Sequence, residues 1–543
     1  MRPVYLVVLA LALAVTGALA HTLAPAKRSA HILVNGSGAA ASDAQGAALP
    51  AHGSTAVTGP AGRVRATFAS RPAPARGPAE TGTAEPLAPR LPQASLRALR
   101  FGPPRVAETQ IRAKTAHPLR ANTLTLFTNT DLGAGHASHV AEPSVAKNGQ
   151  YVFETYNWGA AVSTNGGSSF QFINPRTTFP RKYGGFCCDQ LALYDPSRTL
   201  WLWVLQYGDD SGGSNAIRLA VARGDSALAA GRFRYLDFTP QQIGASTGVS
   251  YDQPKIALSN NYVYLSIATY NSSSRFVNSA VLRIPLDALA SSGTVRYARF
   301  TTSTFSPGLA QGATSTMYFA GHASATTLRL FAWPERVGAG GVTRTDLTVR
   351  ADPGNRQFSC PRTGGSATSD WCMGSHNGTS ISHDTRINAG WVDRGTIGFT
   401  WDAPQGTGGL GSFPFPYVHG VRIRESTKTV IDEPVLWSSR FAYQYAAIAA
   451  NSAGDLGGTV MYGGGSQFEN CAVVVHDAST TGSFFEVATA ETSSADPLRR
   501  ASGDYLTARP DPSRAGGWIG TCYAVRGSGQ NRDVHPYFLA FGR

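Results

Sequence analysis

The feature that most constrains the fold is a strand-turn-strand unit that returns along the chain at intervals of about 60 residues after a shorter first interval. Aligned on the second strand of each unit, seven copies appear, at residues 150–158, 199–207, 261–270, 327–333, 395–401, 457–462 and 517–525. These runs are rich in aromatic and β-branched residues, which suit a pleated, half-buried surface. Most follow a shorter strand that ends in a turn, as at 143–149 and 505–513, and most precede a third strand. A unit of three or four strands cannot bury both of its faces alone, so neighbouring units must cover one another. The arrangement that achieves this around an axis is a β-propeller. The fold class is therefore all-β, a seven-bladed propeller over residues 121–543. Six blades is the alternative, because the fourth and fifth copies are the least regular. The last unit has only three strands, and the extended segment 122–128 supplies the fourth and closes the ring. Closure is needed because an open ring exposes two unpaired sheet edges.

The first 120 residues read differently. Residues 1–20 carry Arg2, an apolar run and Ala18-Leu19-Ala20, the pattern of a cleaved export signal. The apolar run is short for a membrane span of roughly 20 residues, and no later run is long enough, so a soluble protein outside the cytoplasm is expected. Residues 21–120 are dominated by Ala, Pro, Gly, Ser and Arg with no sustained period. Such a stretch buries too little apolar surface to offset its ordering entropy and reads as a disordered segment.

The net charge of +13 suggests a nucleic-acid partner until it is located. Residues 1–120 hold 14 Lys/Arg against 4 Asp/Glu, which leaves 33 against 30 for the rest of the chain. The folded part is nearly neutral, so no basic groove for phosphates is indicated.

Six cysteines in an exported chain allow three disulfides. Cys360 and Cys372 bracket a Gly/Ser/Thr loop, Cys471 and Cys522 lie in consecutive units, and Cys187 and Cys188 are left for each other. A bond between adjacent residues closes an eight-membered ring and strains the intervening peptide, a cost found more at functional sites than in scaffolding. It also presents a rigid apolar knuckle on which a sugar ring can stack. The alternative is a pair of reduced, buried thiols.

Between the third strand of the first unit and the next strand, Ser163-Thr164-Asn165-Gly166-Gly167-Ser168-Ser169-Phe170 resembles the Asp-box, S-x-D-x-G-x-x-W, of sialidases and related propellers. Asn stands for Asp and Phe for Trp. The stretches EPSVAKNGQYVFETYNWGAAVSTNGGSSFQFINP and ASGDYLTARPDPSRAGGWIGTCYA look like blades of secreted bacterial proteins of the sialidase-like (BNR/Asp-box) superfamily. The resemblance covers roughly residues 122–543 and implies a propeller with a glycan-related role. It does not carry over a sialidase active site. That family's first substrate-binding arginine lies in an Arg-Ile-Pro motif on an early strand, whereas Arg283-Ile284-Pro285 sits on a third, outer strand.

Propellers gather functional groups where the innermost strands and their loops reach one mouth of the channel. Glu142, Asp189, Asp252, Asp384 and Asp504 fall at or near the starts of inner strands. Converging carboxylates can serve as general acid and base, or hold a structural cation, the one cofactor kept open; otherwise they close turns. His136, His139, His322, His376 and His383 join this set without the spacing of a helical zinc site. A neutral histidine beside a tyrosine, with Tyr318 and Tyr443 available, can remove the proton next to a uronate carboxyl, which is lyase chemistry. The expected function is a secreted, monomeric propeller acting on a glycan or polysaccharide as a hydrolase or lyase. Asp189, Glu142, Asp252, Asp504, His322, His376 and His383 are the catalytic candidates. Cys187, Cys188, Tyr318 and Tyr443 are the substrate-binding candidates. A non-catalytic propeller binding glycan or protein at the cell surface is the alternative.

Overall fold

The computed structural model describes residues 55–57, 62–72, 104, 106–112, 123–133, 141–213, 215–291, 294–354, 358–365, 369–372, 386–497, 505–529 and 531–543. The expected export signal, His136, His139, His376, His383, Asp384 and Asp504 lie outside them.

Strands such as Leu200–Tyr207, LWLWVLQY, are buried on both faces. A strand of that kind must be covered from two sides, and seven antiparallel sheets packed around one axis do this. The innermost strands are Ser144–Asn148, Phe186–Asp195, Val249–Leu258, Gly308–Leu309, Ile387–Asp393, Ala442–Ala450 and Ala508–Pro510. From each, the sheet meanders outward, so that all inner strands run the same way along the channel. Between blades 1 and 2, fully buried Trp203 meets Phe153, Phe179 and Phe233 edge-on at 5.2–5.3 Å. Truncating a side chain packed like this costs about 3–5 kcal/mol.

Blade 7 is completed as expected, three residues along. Thr125–Asp131 pairs antiparallel with Asp533–Gly542, with Asp131 opposite Tyr537 and Thr125 opposite Gly542. Blade 4 differs in phase. Thr327–Pro334 is its third strand, because Thr316–Ser324 is the second and the two-residue Gly308–Leu309 is the innermost. That inner strand escapes a pattern search because it is short and opens on glycine. A Cβ at Gly308 would collide with the Ile387 side chain of the next blade, so close approach excludes the larger residues by which strands are recognised.

Parts of residues 21–120 also take strand form. Thr55–Val57, Gly62–Arg65 and Phe68–Ala69 pair antiparallel with the outermost strands of blades 3, 2 and 1. Ile111–Arg112 pairs parallel with the outer strand of blade 6. An edge strand is held mainly by backbone hydrogen bonds, which need no apolar pattern, and it covers an otherwise exposed edge.

All three disulfides form as paired above, with Cα–Cα distances of 3.7 Å for Cys187–Cys188, 5.5 Å for Cys360–Cys372 and 6.0 Å for Cys471–Cys522. The last joins blades 6 and 7.

Candidate functional site

Four of the seven inner strands share one irregularity, and it lies at the end where they begin. Their pairing slips between Phe186 and Gln190, Asp252 and Lys255, Ile387 and Ala389, and Gln444 and Ala447. Four non-glycine residues at this end have positive φ: Glu142 at 45°, Gln253 at 57°, Ser306 at 37° and Tyr445 at 59°. Three of them precede a proline, Pro143, Pro254 and Pro307. Bulges and left-handed non-glycine residues persist only where the surroundings enforce them, and they re-aim side chains at the mouths of sites. In blade 2 the bulge contains Cys187, Cys188 and Asp189. The vicinal disulfide is thus built into a ring of bulges around one mouth of the channel.

The bulges decide where the candidate carboxylates go. Asp189 is buried beside the disulfide, and Arg176 holds that turn by donating to the Phe186 carbonyl at 2.8 Å and the Cys187 carbonyl at 3.4 Å. Asp252 is half-buried, and its Oδ1 accepts from Gln206 Nε2 at 3.1 Å and from the Gln253 N–H at 2.9 Å. Glu142 is buried and accepts from Asn157 Nδ2 at 2.7 Å. These three stand at the starts of blades 1, 2 and 3.

Beneath the mouth the channel holds a cavity of about 90 Å³. Among the described residues its walls carry Gln253 rather than the neighbouring candidate Asp252, and Tyr505. Lys255, Gln311, Arg386 and Arg509 line it as well. Arg509, from blade 7, spans the channel and donates to the Val145 carbonyl of blade 1 at 2.9 Å, the Ala192 carbonyl of blade 2 at 2.8 Å and Gln311 Oε1 beyond blade 4's inner strand at 3.0 Å. Gln311 in turn donates to the Ile256 carbonyl of blade 3 at 2.8 Å. One guanidinium and one amide therefore tie five blades together across the channel.

His322 and Tyr318 lie elsewhere. His322 is on a second strand, so it points between blades 4 and 5, where it meets Trp401 edge-on at 4.7 Å. It is buried, neither ring nitrogen has a hydrogen-bond partner among the described residues, and burial depresses its pKa to about 4. Tyr318 is four residues earlier, toward the other end of that strand, where its hydroxyl donates to Glu425 at 3.0 Å. Tyr443 does stand at the start of the inner strand of blade 6, beside its bulge, but its ring is packed between Phe441 and Tyr462 and its hydroxyl has no hydrogen-bond partner among the described residues.

A cluster absent from the sequence reading adjoins His322. His419 Nδ1 lies 2.7 Å from Asp352 and its Nε2 3.2 Å from Glu433. Trp401 Nε1 donates to the second Asp352 oxygen at 2.7 Å. Burial alone would depress His419, but Asp352 and Glu433 outweigh it and hold the ring up at about 9. The same histidine lowers Asp352 against the opposing effect of its burial. The cluster is enclosed and self-satisfied, which marks it as part of the blade 4–5 interface.

Among the described residues, the one group spaced for a metal is Cys360, Asp370 and Cys372. Its two cysteines are joined to each other, and Asp370 accepts from the Cys360 N–H and Ser359 Oγ, both at 2.7 Å. That chemistry fits a stapled loop and leaves no thiolate for an ion.

No known protein family and no curated protein matches the sequence. Among solved structures, an α-L-arabinofuranosidase from Fusarium graminearum aligns at 7% identity and TM-score 0.36, covering 76% of this chain and 97% of that one. An α-L-arabinanase from Penicillium chrysogenum aligns at 8% identity and TM-score 0.36, covering 76% and 98%. A quinohemoprotein alcohol dehydrogenase from Comamonas testosteroni aligns at 8% identity and TM-score 0.37, covering 77% and 76%. Likenesses at this level do not separate a hydrolase from a dehydrogenase, and the blade count rests on the sheets themselves.

Proposed function

We propose that the protein is an exported, monomeric glycoside hydrolase whose site is the bulged mouth around Cys187, Cys188 and Asp189. The observation that carries this reading is the coincidence, in one bulge, of a vicinal disulfide and a buried carboxylate at the mouth of a channel that holds a cavity. The disulfide offers an apolar face for a sugar ring, and Asp189 is the general acid. Asp252, oriented by two hydrogen bonds, is the partnering base or nucleophile, with Glu142 in the wall. Lyase chemistry has less support, because His322 is enclosed between blades and Tyr318 is engaged away from the mouth, so these two do not pair as base and acid there. His376, His383 and Asp504 remain candidates for the rim.

Kinship with the sialidase-like propellers is part of the proposal. The turn after Gly159–Ser163 supports it: Asn165 Oδ1 accepts the Ser169 N–H at 3.0 Å, Ser163 Oγ accepts the Gly167 N–H at 2.9 Å, and Phe170 packs on Phe538. The resemblance implies contacts of this kind, a polar side chain bonding loop amides and an aromatic ring packed beside the turn. Export is supported by the three disulfides and by the absence, among the described residues, of a helix long and apolar enough to cross a membrane.

The test is to incubate the purified protein with a panel of neutral and acidic polysaccharides and follow both reducing ends and the absorbance of unsaturated products. Reducing ends without unsaturation support the hydrolase. Unsaturated products select the lyase, and binding with neither product selects a glycan-binding propeller.

A further inference from the structure

We infer that the cavity beneath the mouth is an anion-binding pocket, and that the glycan placed there carries an acidic group, a carboxylate or a sulfate ester. The inference rests on the mouth being the site. Among the described residues the cavity wall contains three cations, Lys255, Arg386 and Arg509, from blades 3, 5 and 7, and no carboxylate. Glu142, Asp189 and Asp252 stand outside that wall.

Arg509 makes the point most strongly. Its three hydrogen bonds end on two backbone carbonyls and an amide oxygen, all neutral. A buried guanidinium with only neutral acceptors has lost its hydration without gaining a counter-charge, and burial accordingly lowers its pKa to about 10. Arg386 and Lys255 are pre-oriented beside it. With the Gln253 amide turned as its neighbours require, its oxygen accepts from both terminal Arg386 nitrogens at 2.9 and 3.0 Å. Lys255 Nζ donates to the Ser306 carbonyl at 3.2 Å and also contacts Ser306 Oγ. Gln253 and Ser306 are two of the positive-φ residues of the bulge ring, so the irregular backbone at the mouth also positions the cations. An oxyanion in the cavity would meet fixed donors from three blades and supply the missing charge. The cavity of about 90 Å³ would take the acidic substituent, with the sugar at the rim beside Asp189 and the disulfide.

The test is calorimetric titration of the full-length protein with galacturonate, a monosaccharide sulfate, glucose and inorganic sulfate. The expected result is binding of at least one acidic sugar and none of glucose. Lys255→Met and Arg386→Gln, each checked for an unchanged melting temperature, should each weaken it at least about tenfold, the loss of one charge-assisted contact. Galacturonate against sugar sulfate distinguishes the two sources of charge. Inorganic sulfate binding as tightly as both sugars would reduce the pocket to a general anion site. Equal binding of glucose and galacturonate, or acidic-sugar affinity unchanged in both variants, overturns the inference. Acid-sugar binding without cleavage keeps this pocket and removes the hydrolase, whereas cleavage of a neutral glycan without anion binding does the reverse.

Discussion

Removing the disulfides one at a time should separate a stabilising bond from a functional one. Cys471 and Cys522 are 51 residues apart, Cys360 and Cys372 are 12 apart, and Cys187 and Cys188 are adjacent. In the loop-closure model the first bond limits the unfolded chain by about 4 kcal/mol at 25 °C, the second by about 3 kcal/mol and the third by less than about 1 kcal/mol. Cavity formation acts in the same order, since Cys360, Cys372, Cys471 and Cys522 are fully enclosed whereas Cys187 is partly exposed. Paired Cys→Ala variants, unfolded in urea and followed by tryptophan fluorescence, should lose midpoint concentration in that order. Activity should follow the opposite order, with C187A/C188A losing turnover while keeping its midpoint. If C187A/C188A loses as much stability as C471A/C522A and retains full activity, the vicinal pair is scaffold and the site has been placed wrongly.

Four further outcomes are expected. Deleting residues 1–133 removes the outer strand of blade 7 and exposes the edge of Asp533–Gly542, so the product should aggregate or melt well below the parent; an unchanged melting temperature would exclude closure by this segment. Arg509→Met leaves Val145 O, Ala192 O and Gln311 Oε1 without their donor, at about 1–3 kcal/mol for each group that stays unsatisfied, and should lower the melting temperature by several degrees; no change would mean that the cross-channel tie is not structural. The His419 contribution is complete below 6.5, its ordinary value, and is lost as pH rises through about 9, while that of Glu469, which burial pushes up to about 8, is lost between 4.5 and 8. Stability should therefore fall between pH 6.5 and 9, and His419→Gln and Glu469→Gln should each flatten the decline; a flat profile in the parent contradicts both placements. On the acid side His322, lowered to about 4, destabilises as pH falls from 6.5, so His322→Phe should gain stability there.

The ring was legible because strands such as Leu200–Tyr207 announce themselves by unbroken apolar runs and because the last unit lacked a strand that the chain offers elsewhere. The inner strand of blade 4 was not, since Gly308–Leu309 is shaped by the approach of Ile387 rather than by propensity. The added edge strands were invisible for a different reason: backbone pairing at Gly62–Arg65 leaves no mark on side-chain composition. At the site, the vicinal cysteines stood out because their chemistry is local. The bulge ring had a fainter local signal, the Glu142-Pro143, Gln253-Pro254 and Ser306-Pro307 pairs at three strand starts. Arg509 had none, because its partners lie 364, 317 and 198 positions away and meet only when the ring closes. His322 was misplaced because a second-strand residue faces a neighbouring blade, not the channel.

The most direct measurement of whether Asp189 belongs to a catalytic site is the release of reducing ends by Asp189→Asn against the parent, on whichever glycan the parent cleaves. With the melting temperature unchanged, loss of an acid/base group should lower turnover by about 10²–10⁴-fold. Full turnover in Asp189→Asn would contradict the placement of the site, and a parent that releases no reducing ends from any neutral or acidic glycan would contradict the hydrolase.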